Sequence, residues 1–168
     1  MTIPTLSAGE LVRELDRRLD RDLGVIAFDG DGTLWSGDVA EDVFAHAVEH
    51  ELLKDDALAE LRKTAAGLGL SPQGTTSALA KRIFDAYLAG VCPEREVCEV
   101  MTWCFAGFKH AEVHELAVRV LGLAGLAQRL NLALEPVIGW ARQRGVTTLL
   151  ISASPRPIVE AAAAHWQI

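Results

Sequence analysis

Two short apolar runs, each breaking off into a small polar loop, constrain this chain more than any other feature. Val25-Ile26-Ala27-Phe28 ends in Asp29, and Val146–Ile151 ends in Ser152. Neither run alternates polar with apolar residues, which is the pattern of a parallel strand covered on both faces. Parallel strands cannot be joined by a hairpin and need a long crossover. The stretch between these two is long and helical in pattern. The second run is itself framed by helix signals, Pro136 to Arg144 before it with Gly145 closing the helix, and Pro155 to about His165 after it. Helix, strand, polar loop, helix is an α/β arrangement, and the first run belongs in the same sheet.

Helical periodicity fills the remainder. Ser7 and Glu10 have capping-box spacing ahead of Leu11, Leu15 and Leu19, so residues 8–20 read as an amphipathic helix. Asp38 and Glu41 open a helix running to about Leu53. Ala57–Gly67 and Thr75–Ala89 follow, then a helix beginning at Pro93, and two shorter ones at Ala111–Leu121 and Leu123–Leu130. No strand pattern interrupts this block. The expected organisation is an α/β parallel-sheet core from residues 1–37 and 131–168, with an all-helical cap, 38–130, inserted after the first strand. Two strands leave two open edges. Either a second copy covers an edge as a homodimer, or the core is incomplete.

Composition closes off several classes. Sixteen Lys and Arg stand against 23 Asp and Glu, a formal net charge of -7 with no basic stripe, which does not suit a nucleic-acid partner. Arg13, Arg17, Arg18 and Arg21 come nearest, but Glu14, Asp16, Asp20 and Asp22 are interleaved with them. The three cysteines, Cys92, Cys98 and Cys104, contain no CxxC pair and fit a reduced, cytoplasmic chain better than a disulfide framework. There is no apolar signal core and no membrane-length apolar run, so no membrane partner is expected.

The chemistry-bearing segment is Asp29-Gly30-Asp31-Gly32-Thr33-Leu34. Two carboxylates at i, i+2 leave a strand end together, at the open end of a parallel sheet where ligands bind, with glycines permitting close backbone approach. One carboxylate can attack phosphorus while the other moves the proton, and Mg²⁺ would be the fitting hard cation. The bland alternative is an acidic turn. A calcium loop fails because Leu34-Trp35 interrupts the oxygen ligands it would need.

Phe28-Asp29-Gly30-Asp31-Gly32-Thr33-Leu34 resembles the first motif of the haloacid dehalogenase superfamily, Asp-x-Asp-Gly-Thr-Leu after a strand. Leu149-Leu150-Ile151-Ser152-Ala153-Ser154 resembles its second, a strand ending in Ser or Thr. With the long helical insertion, the likeness is to the phosphoserine-phosphatase-like branch with a helical cap and a Rossmann-like core. It implies Asp29 as nucleophile and Asp31 as general acid/base. It also implies Mg²⁺ held by Asp29 and by Asp31, the latter through its backbone carbonyl. Ser152 would bind the transferring phosphoryl group, with the backbone near Gly30 and Ala153 cradling its oxygens. Asp38 stands seven positions after Asp31, where that branch usually carries a Glu that meets the substrate amine; its other reading is a helix N-cap.

The implied activity is Mg²⁺-dependent hydrolysis of a small phosphomonoester, a phosphoserine-like metabolite, through an aspartyl-phosphate. A phosphotransferase using the same aspartates, or a non-catalytic binding protein on the same fold, are the alternatives. The family's third and fourth motifs, a Lys or Arg and an acidic pair, are not supplied up to Ile168. Lys54, Lys63, Lys81 and Lys109 fall in the helical block, and Glu160 sits on a helix. The expectation is a weak or inactive phosphatase from this chain alone.

Lesser candidates are His46 with His50 and His110 with His114, both at i, i+4, a spacing that can hold a metal but more simply marks a solvated helix face. Trp103, Phe105 and Phe108 would line a cap pocket or form the cap's own core, and Arg156 would meet an anion or stand in solvent.

Overall fold

The computed structural model describes residues 6–18 and 24–167. Its elements run α1 (Ala8–Arg18), β1 (Val25–Asp29), α2 (Val39–Glu49), α3 (Leu58–Gly67), α4 (Thr76–Leu88), α5 (Glu94–Trp103), α6 (His110–Leu123), α7 (Leu126–Arg129), α8 (Glu135–Arg144), β2 (Thr147–Ile151) and α9 (Arg156–Ala163), with single 3-10 turns at Asp55–Ala57 and Leu132–Leu134. By internal contact the chain forms two compact units. One comprises the described residues of Met1–Gly37, Leu126–Ser152 and Ala163–Ile168, and the other Asp38–Gly125 with Ala153–Ala162.

In the first unit β1 and β2 pair in parallel, Val25 opposite Thr147 through Asp29 opposite Ile151. These two strands are the whole sheet among the described residues, fewer than a Rossmann-like core normally carries. The α/β class is therefore as expected, but burial is not. Val25 is 57% exposed, Leu149 48% and Ile151 63%, whereas an apolar run of this kind is expected to be covered on both faces. The reason is the strand count and layering: α8 packs on β2 and α1 on α8, leaving the face that carries Val25, Ala27, Leu149 and Ile151 largely open.

Local chemistry sets the helix ends. Ser7 Oγ accepts from the Glu10 amide at 3.3 Å while the Ser7 amide donates to Glu10 Oε2 at 2.8 Å, the expected capping box. Leu19 and Asp20, expected to end that helix, lie outside the described residues. Trp140 Nε1 donates to Asp16 Oδ1 at 2.8 Å, tying α8 to α1. Gly145 closes α8 with φ 66°, a left-handed conformation that side-chain-bearing residues resist.

The second unit is helical. α2 buries Val39, Ala40, Val43, Phe44 and Ala47 and packs against α4, α5 and α6. Phe44 meets the Phe84 ring at 5.2 Å. Thr75 caps α4 by accepting from the Ala78 amide at 3.2 Å. Pro93 stands just outside α5, as its N-cap. No helix among the described residues is long and apolar enough to cross a membrane.

Candidate active site

The parallel register decides what meets at the sheet's C-terminal edge. Asp29 pairs with Ile151, so Gly30 and Ser152 leave the two strands side by side. From Gly30 the chain turns sharply: the Gly30 carbonyl accepts from the amides of Thr33 at 3.1 Å and Leu34 at 2.8 Å, and the Gly32 amide donates to the Trp35 carbonyl at 2.8 Å. The turn is braced from far along the chain. Asn131 Nδ2 donates to the Thr33 carbonyl at 3.0 Å, the Asn131 amide to the Leu34 carbonyl at 2.9 Å, and the Ser36 amide to the Arg129 carbonyl at 3.0 Å.

Each aspartate has a side-chain donor. Thr33 Oγ1 donates to Asp29 Oδ2 at 3.1 Å, and Trp35 Nε1 donates to Asp31 Oδ1 at 2.7 Å. Asp29 is exposed and Asp31 half-buried. Trp35 is wholly buried, and its ring lies against Gly30: a Cβ added there would come within 2.8 Å of Trp35 Cζ2. Gly30 is not in the left-handed region, so glycine is required at this position by the indole beside it rather than by backbone conformation.

Asp38 caps α2, its Oδ1 accepting from the Glu41 amide at 2.9 Å. Ala153 lies in the second unit, lining an open hollow of about 470 Å³ together with Glu94, Arg95, Cys98, Glu99 and Thr102. Burial, with Glu94, Asp38 and Glu41 adding, pushes the Cys98 thiol above its usual range.

The lesser candidates find structural partners. Arg156 Nε donates to Glu160 Oε1 at 2.7 Å, and His110 Nε2 lies 3.0 Å from Glu160 Oε2. The Arg156 hydrogen bond, helped by His110 and His114, holds the Glu160 carboxyl below the usual carboxylate range. The His46 and His50 rings meet at a tilt of 51° with centroids 4.2 Å apart. Phe105 is buried and Phe108 half-buried, whereas Trp103 is 49% exposed. Lys54 Nζ donates to the Gly107 carbonyl at 2.9 Å and lies over the Phe108 ring, an engagement that locks the fold locally. All four lysines belong to the helical unit.

The profile of the haloacid dehalogenase-like hydrolase family matches residues 26–168, nearly the whole chain. The chain belongs to that family. No curated protein and no solved structure matches it significantly. Haloacid dehalogenase-like hydrolases generically use divalent metal ions. In this member the Asp29 carboxylate and the Asp31 backbone carbonyl are hard oxygen donors of the kind such a cation takes. Among the described residues no group of three or more His, Cys, Asp or Glu gathers as a fuller protein cage would.

Two contributors to the loop stand outside the motif residues. In the sequence Trp35 reads only as an interruption, although its i+4 spacing from Asp31 and its single N–H donor are visible there. Asn131 carries no sequence signal, since the carbonyl it meets is 98 residues away.

Proposed function

We propose that this haloacid dehalogenase-like hydrolase removes the phosphoryl group from a small phosphomonoester through an aspartyl-phosphate on Asp29. The observation that carries the reading is the parallel register of β1 and β2, which sets the Asp29–Asp31 loop beside Ser152 at one sheet edge with both carboxylates oriented by side-chain donors. Thr33 occupies Asp29 Oδ2, so Oδ1 attacks phosphorus as the bond to the ester oxygen breaks. Asp31 gives its proton to the departing alkoxide. It then takes a proton from the water that attacks the aspartyl-phosphate, releasing inorganic phosphate and restoring Asp29.

The Ser152 hydroxyl and the amides near Gly30 and Ala153 hold the phosphoryl oxygens. Asp29 and Asp31 would hold Mg²⁺, which supplies screening between the anionic nucleophile and the anionic substrate. By family likeness, the helical segment 38–130 is the cap domain and 1–37 with 131–168 the core domain. On the same ground Asp38 is the residue that would meet a substrate amine, as in the phosphoserine-phosphatase-like branch.

Phosphate release from a panel of small phosphomonoesters, with and without Mg²⁺, tests the reading against an Asp29→Asn control. Release that requires both Mg²⁺ and Asp29 supports it; release unaltered in the control rejects it.

A further inference from the structure

We infer that Trp35 is a positioning residue for proton transfer, acting through Asp31; the inference rests on the phosphatase reading above and extends it. The indole nitrogen can only donate, and at 2.7 Å it commits Asp31 Oδ1 to accepting. The carboxylate is thereby held in one orientation through both half-reactions.

Trp35 is well placed to do this because it cannot move. Its side chain is 0% exposed, and its ring rests on Gly30, where even a methyl group would intrude. Its backbone is pinned on both sides: the Trp35 carbonyl accepts from the Gly32 amide, and the residue bridges Asp31 on one side and Leu130 on the other. Of the residues flanking Leu130, Arg129 accepts through its carbonyl from the Ser36 amide, and Asn131 donates through its amide to the Leu34 carbonyl and through Nδ2 to the Thr33 carbonyl. An indole fixed by the fold thus transmits that fixity to the half-buried Asp31 carboxylate. A buried indole N–H takes an acceptor, as Trp140 takes Asp16; at Trp35 that acceptor is the acid/base candidate itself.

Two measurements on the full chain test the inference. In the first, the ¹⁵N-labelled indole N–H resonances of the wild-type chain and of Asp31→Ala are compared at one pH. Trp35 is identified by the signal lost in Trp35→Phe, or by elimination using Phe variants at Trp103, Trp140 and Trp166. Its resonance is expected to shift in Asp31→Ala while that of Trp140, which donates to Asp16, stays in place. In the second, Trp35→Phe keeps an aromatic ring and removes the N–H. Because general acid–base catalysis is worth about 10²–10⁴, kcat is expected to fall about tenfold or more, with KM changed less than about twofold.

An indole signal indifferent to Asp31 overturns the inference. So does a folded Trp35→Phe protein with unchanged kcat. If Trp35→Phe does not fold, the response of the indole signal to Asp31→Ala decides by itself. Failure of the phosphatase reading is recognised separately, because it appears as wild-type turnover that Asp29→Asn leaves unaltered.

Discussion

Replacing Gly30 by alanine asks why a glycine stands between the two aspartates. The added Cβ would sit 2.8 Å from Trp35 Cζ2, 3.3 Å from Trp35 Cη2 and 3.5 Å from Leu150 Cδ1. The first distance is too short for any real contact, and Trp35 is fully buried, so it has nowhere to retreat. Overpacking of this kind costs about 1–3 kcal/mol. Alanine also restricts the unfolded chain, which returns about 0.4–1 kcal/mol where the backbone conformation is permissive, as here. The net expectation is a loss of about 1–2 kcal/mol, and for a chain of this length a fall in Tm of about 2–8 °C.

Urea unfolding of Gly30→Ala, Trp35→Phe and the double variant measures it. Phenylalanine lacks the ring atoms that clash, so Gly30→Ala in the Trp35→Phe background is expected to cost less than about 0.5 kcal/mol. A Gly30→Ala protein as stable as wild type, or an undiminished penalty in the double variant, refutes the claim that the indole demands this glycine. Unchanged stability with lost phosphate release would instead mean that the glycine serves the approach of a ligand.

Three further outcomes are expected. Burial pushes the Cys104 thiol up to about 12, so its stabilising effect is complete below its unfolded value near 9 and is lost as pH rises toward 12. About 2 kcal/mol should go by pH 10.5, a decline that Cys104→Ala flattens in denaturant titrations, and native Cys104 should resist thiol reagents that label Cys98. His46 is held below its usual pKa by burial first, then by His50 and Arg119, so stability is full above its unfolded value near 6.5 and falls as pH drops through the folded value. Thermal unfolding at pH 7.5 and 5.5 should show a smaller acid loss in His46→Gln than in wild type. Asp38→Ala removes the α2 cap and should cost about 1 kcal/mol in denaturant unfolding, whatever its effect on substrate.

Much of the secondary structure is legible in the sequence because local chemistry writes it. Ser7 and Glu10, Asp38, Thr75 and Gly145 act within a turn of where they stand, and their bonds form as their spacing suggests. The strand ends are legible for the same reason, an apolar run stopping at Asp29 and another at Ile151. The exposure of Val25, Leu149 and Ile151 is not, because a strand's residues record its conformation and not how many neighbours or helices cover it. Nor is the bracing of the motif loop: Asn131 reaches Thr33 across 98 positions, and no local pattern encodes such a pairing. The link between Trp35 and Asp31 lies between these cases, close in sequence but dependent on a turn whose shape only the folded loop defines.

The central claim is that Asp29 becomes phosphorylated. Acid quench of the chain during turnover of a reactive phosphomonoester with Mg²⁺, followed by borohydride reduction and peptide mass spectrometry, reads it directly, because an acyl phosphate at Asp29 is reduced to homoserine. Homoserine at position 29, absent without substrate and absent in Asp29→Asn, is the expected result. Phosphate release with position 29 intact, or homoserine at position 31 instead, would contradict the account.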